Sequence, residues 1–172
     1  QFVPGIADYN AAIGLDGKNK AYSDARESVK KAKVDPIIAA AIAKHEAKDY
    51  AGAIDGYQQA LQIQPTNAAL WFNLASAQYA REDYARARDA YQKAFEVDPK
   101  GQVDDLYLMG VIDEHFNRVP VAQSEYLKYM SLAPGGKYSA QAKERNTALN
   151  KNPNDPQHIK GADEIAKEKV GD

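Results

Sequence analysis

Residues 71–99 read WFNLASAQYAREDYARARDAYQKAFEVDP, and the fold is decided in this stretch. Apolar residues recur at three- and four-residue spacing from Trp71 to Tyr79, and again from Tyr84 to Phe95. That is the period of an amphipathic α-helix. Between the two runs, Glu82-Asp83-Tyr84 marks a turn, and Pro99, which has no N–H to continue a helix, ends the second run. The stretch therefore predicts helix, short turn, helix.

The pattern repeats outward. Trp71, Ala75, Tyr84, Ala87, Tyr91, Ala94 and Pro99 are matched 34 residues earlier by Ile37, Ala41, Tyr50, Ala53, Tyr57, Ala60 and Pro65. They are matched 35 residues later by Leu106, Gly110, Val119, Ala122, Tyr126, Tyr129 and Pro134, where only Tyr129 departs from the expected small residue. A fixed period of this length is the mark of stacked helical hairpins. Ala41, Ala75 and Gly110 are expected to be small so that the second helix of each unit can approach the first. Lys48-Asp49-Tyr50 marks the turn of the first unit; in the third, Asn117 is expected to cap the second helix, with Pro120 in its first turn. Asp35-Pro36 is expected to begin the first unit as N-cap and first helical residue.

On these residues, and above all on Trp71-Phe72-Asn73-Leu74-Ala75, Tyr84, Ala87, Tyr91, Ala94 and Asp98-Pro99, the chain resembles the tetratricopeptide repeat family across residues 34–136. The resemblance implies an all-α fold, a right-handed superhelical α-solenoid of stacked helix–turn–helix units with a C-terminal capping helix. The units are expected at 34–67, 68–102 and 103–136. Residues 1–33 read either as an arm (1–17) followed by one amphipathic helix (20–33), or as a degenerate preceding repeat built on Tyr9, Ile13, Tyr22, Ala25, Val29 and Ala32. A capping helix is expected over 137–150, with Tyr138, Ala142, Arg145 and Leu149 on one face, because a solenoid must cover its last apolar layer. Residues 151–172 read as a polar tail.

Composition narrows the function. A formal net charge of −2 argues against nucleic acid, which calls for a cationic surface. The absence of cysteine excludes disulfides and thiolate chemistry. No apolar run is long enough to span a membrane. The chain opens on Gln1, as expected of a processed or trimmed N-terminus, and together with the lack of cysteine this is compatible with a bacterial periplasm or exterior. Asp16–Glu27 has the length of a calcium loop, but Lys18, Lys20 and Ala21 occupy places that need ligands or glycine. His45, His115 and His158 lie apart, with no metal-ligand spacing. No catalytic residue, cofactor or metal is expected. Arg81, Arg86 and Arg88 interleave with Glu82, Asp83 and Asp89, which predicts a solvated face laced by pairs such as Glu82–Arg86.

In the family, the first helices of successive units line a concave surface. Carried over by position, the resemblance places there Ile38, Ile42 and His45, then Phe72, Ser76 and Tyr79 with Asn73 beside them, and then Tyr107, Val111 and Glu114. Each row keeps i, i+4, i+7 spacing and so shares a helical face. The expected function is a scaffold or adaptor holding an apolar or amphipathic segment of another protein, unless the chain's own N-terminal arm fills the groove. The alternative is a structural subunit that self-associates through its ends and arm. Family members that grip a chaperone's C-terminal carboxylate do so with Lys, Asn and Arg. Here those places hold Ile38, Ile42, Asn73, Asp104 and Leu108, so a carboxylate clamp is not expected.

Overall fold

The computed structural model describes residues 5–16 and 18–152, and every regular element among them is a helix. In chain order these are α1 (Ile6–Leu15), α2 (Lys20–Glu46), α3 (Tyr50–Ile63), α4 (Ala68–Ala80), α5 (Tyr84–Val97), α6 (Asp104–His115), α7 (Val119–Leu132) and α8 (Ser139–Lys151). The main packing runs between helices consecutive in the chain, from α1 on α2 through α7 on α8. That is the arrangement of a solenoid, in which each hairpin is held by its neighbours.

The repeat is reproduced in backbone detail. Each hairpin turns through one residue in the left-handed region: Lys48 (φ 62°), Glu82 (φ 63°) and Asn117 (φ 54°). The next residue's N–H then reaches back to the carbonyl of Lys44, Gln78 or Asp113, at 2.8, 2.9 and 2.8 Å. Asp49 and Asp83 cap the following helix through the N–H groups of Gly52 and Arg86. In the third unit Arg118 stands in that place and makes no cap, while Asn117 takes the left-handed turn position instead of the expected N-cap. Asparagine tolerates that conformation better than lysine or glutamate, so its backbone role prevails over its capping role.

Small residues set the closeness of the layers. A Cβ on Gly56 would lie 2.7 Å from that of Ala41, and one on Gly110 would lie 2.5 Å from Cε1 of Tyr126. Ala53, Ala75, Ala87 and Ala122 are fully buried, and Tyr57, Tyr91 and Tyr126 fill the space beside them. Pro65, Pro99 and Pro134 each follow a helix end by two residues.

The N-terminal region corrects two expectations. Residues 6–15 form α1, packed on α2, rather than an arm. Nor does Asp35-Pro36 start a helix: α2 runs unbroken from Lys20 to Glu46 with Pro36 inside it, so the expected boundary between residues 33 and 34 falls within one helix. Pro36 forfeits the bond to the Ala32 carbonyl, but both residues are exposed to water. Val34 and Ala41, on either side, are sunk in the core and keep the two halves in line. Of the degenerate-repeat positions, none is buried: Tyr22 and Ala32 are exposed and the others half-exposed. At the other end Tyr138, Ala142 and Leu149 are buried against α7 and α6, making α8 the cap. The tail beyond Asn152 lies outside the described residues.

Candidate functional site

The first helices α2, α4 and α6 carry the three rows of candidate binding residues, and burial divides them. In the first row Ile38 and His45 are half-buried, and Ile42 is 38% exposed. His45 sits edge-on to the rings of Tyr50 and Tyr57, at 5.4 and 6.1 Å, with Nδ1 3.4 Å from the Tyr57 hydroxyl. Burial lowers its pKa, so the imidazole is neutral at neutral pH. In the second row Phe72, Asn73 and Ser76 are half-buried and Tyr79 is buried. Phe72 meets Tyr91 ring to ring at 5.7 Å, and the Ser76 hydroxyl lies 3.3 Å from that of Tyr91.

The third row is closed. Tyr107, Val111 and Glu114 are all buried, Tyr107 to 1% exposure. The ring of Tyr138, just ahead of α8, stacks on Tyr107 at 4.4 Å and 11°. Glu114 accepts a hydrogen bond from the Tyr126 hydroxyl and pairs with Arg145 of α8 at 3.0 Å. The cap therefore occupies the ground on which a partner was expected, and the open surface shrinks to Ile38, Ile42, His45, Phe72, Asn73 and Ser76. The expected occupant from within the chain was the N-terminal arm; over the third row it is the C-terminal cap.

Closing that row leaves α6 buried all round from Asp105 to Glu114. Acids in such a helix must find partners. Asp113 receives both Arg88, at 2.9 Å, and Arg118, at 2.5 Å, and Arg88 also reaches Glu125 on α7 at 2.8 Å. Arg88 is thus no member of a solvated basic face but a tie between α5, α6 and α7. Arg86 pairs with Asp83 at 3.1 Å, not with Glu82. Burial, and then the neighbouring Asp113 carboxylate, push the Glu125 carboxyl up to about 8 against the pull of Arg88 and Arg118. Sequence reasoning missed this cluster, although one signal was present: Arg88 falls at the repeat position that holds Ile54 one unit earlier.

Residues 44–108 match the family model for the tetratricopeptide repeat (TPR). Over that stretch the chain is similar to tetratricopeptide repeats. Its helices also follow those of solved TPR structures. The TPR domain of Arabidopsis OM64 superposes with a TM-score of 0.62 at 21% identity, over 69% of this chain and 98% of that one. The first TPR of Spaghetti (RPAP3), bound to the HSP90 peptide SRMEEVD, gives 0.61 at 18% identity, over 70% and 93%. MamA gives 0.58 at 20% identity and spans 96% of this chain and 88% of its own. At such identities the likeness is one of fold. No curated protein matches the chain by sequence. No helix among the described residues is long and apolar enough to cross a membrane.

Proposed function

We propose that the chain is a non-catalytic adaptor that holds an apolar or amphipathic segment of a partner protein against the first-helix face of its first two units. The observation that carries this reading is Ile42, a large apolar side chain left 38% exposed beside Ile38 and His45 on the face that TPR stacks present as concave. Half-buried Ile38 and Phe72 on the same row of first helices extend that surface, and apolar surface gathered in a patch supports an interaction site where a single exposed residue does not. A carboxylate-ended chaperone peptide of the kind bound in the Spaghetti complex is a poor fit. Ile38 and Ile42 offer no cation, and Asp104 with Asp105 opens α6 with negative charge.

Ile42→Asp tests the proposal without touching the core. It is expected to abolish recovery of the native partner while helicity is unchanged, whereas Lys143→Asp on the outer side of α8 leaves recovery intact. Equal recovery by both variants would refute the groove.

A second reading, self-association, draws support from α1. That helix has no buried residue, yet Asp8 and Asn10 are its only strongly polar side chains, and Leu15 is 92% exposed. A mostly apolar helix is expected to be covered on more than one side. Light scattering over a concentration series, on wild type and Leu15→Asp, decides it: a monomer at every concentration removes this reading.

A further inference from the structure

We propose that the cleft between α3 and α5, on the side away from the first-helix row, binds an arginine side chain presented by a protein partner. The cleft has a volume of about 440 Å³ and is floored by Trp71, Leu74 and Gln78 of α4, with Gln58 and Asp89 on its walls. Gln78 is only 5% exposed, and its Oε1 meets no hydrogen-bond donor among the described residues. A buried carbonyl in that state favours a ligand that brings an N–H. Three cationic or anionic groups stand on the rim. Arg86 is engaged by Asp83 and Lys93 by Glu96, at 3.1 and 2.8 Å, whereas Asp89 forms no ion pair among the described residues. Asp89 is thus the one rim charge left open to a cation, set between two cations already held by acids of their own helix.

The next layer of the repeat shows what completes such a place. Moved on by one unit, Gln78 becomes Asp113, Ala90 becomes Glu125 and Ile54 becomes Arg88. There the Arg88 guanidinium crosses from α5 and lies between Asp113 and Glu125. In the earlier layer Ile54 has no donor to send, and Ala90 leaves the volume that Glu125 fills. A guanidinium from outside satisfies all of these features together. Its flat face lies on the Trp71 indole, its N–H groups reach Gln78 and Asp89, and its aliphatic stem covers Leu74. Lysine offers a compact, strongly hydrated charge with no flat face, and suits this floor less well.

Trp71 is the only tryptophan in the chain, so its emission reports on this cleft. The probe is a Gly-Ser peptide with a central Leu-Arg-Leu, titrated alongside versions carrying lysine or citrulline in place of arginine. Saturable change in Trp71 emission is expected with the arginine peptide. Citrulline is expected to weaken binding roughly tenfold or more. Asp89→Asn, an exposed change that spares the fold, and Gln78→Leu, checked for folding by circular dichroism, are each expected to weaken the arginine peptide to a similar extent. Ile42→Asp on the opposite face is expected to leave the titration unchanged, which separates this site from the groove proposed above. An absent or non-saturable response overturns the proposal, as does equal binding of the citrulline peptide, insensitivity to Asp89→Asn, or loss of binding with Ile42→Asp.

Discussion

A methyl group added to Gly110 would stand 2.5 Å from the ring of Tyr126, itself fully buried and hydrogen-bonded to Glu114. The ring cannot retreat without breaking that bond, so Gly110→Ala is expected to cost about 1–3 kcal/mol in urea unfolding. Gln92→Ala, which loses one surface contact to Glu96, is expected to stay within about 0.5 kcal/mol. Glu125 gives a second test, in pH. Its carboxyl titrates near 8 in the folded chain against an ordinary value of 4.5, so the native state holds a proton that the unfolded state has released. Stability from this group is complete below about pH 4.5 and drains away as pH rises toward 8, by at most about 1.4 kcal/mol per pH unit. Glu125→Gln is expected to flatten that decline, as measured by urea midpoints across the same range. Both effects belong to single side chains whose neighbours cannot move aside.

Between elements, the turns and the cap show how far the sequence could be read. The three left-handed residues Lys48, Glu82 and Asn117 occupy one repeat position. Glu82→Gly is therefore expected to be neutral or mildly stabilising in thermal unfolding, and Glu82→Val to cost about 1–2 kcal/mol. Helices and turns between Ile37 and Pro134 were legible because near neighbours dictate them, with a small residue at a helix crossing and a proline after an end, whereas the caps expected at Asp35 and Asn117 were not. What local pattern could not give is α2. Pro36 reads as a start, and only the burial of Val34 and Ala41 on either side carries the helix through it. Arg145 was placed correctly on the inner face of α8, but its consequence was hidden, since the pairing with Glu114 spans 31 residues. Removing that cation leaves a buried carboxylate without its charge partner. Arg145→Ala is expected to lower stability by about 3 kcal/mol in urea.

Over the whole molecule, hairpins stacked in chain order give one continuous core whose first-helix face is open at one end and shut at the other. The resemblance placed three equivalent rows on that face, because repeat positions are alike in sequence. It could not distinguish them by accessibility, which depends on what α8 and Tyr138 do to the last row. The stack is therefore asymmetric: units one and two leave apolar side chains on that face open, and unit three spends the same positions on its own cap. The chain contains no cysteine, so single introduced thiols report on this directly. The measurement is the rate of thiol alkylation in the folded protein for Ile42→Cys and for Val111→Cys, each compared with the same variant in denaturant. The thiol at 42 is expected to react readily in the folded protein, while that at 111 is strongly protected. Comparable reactivity at the two positions would contradict that asymmetry.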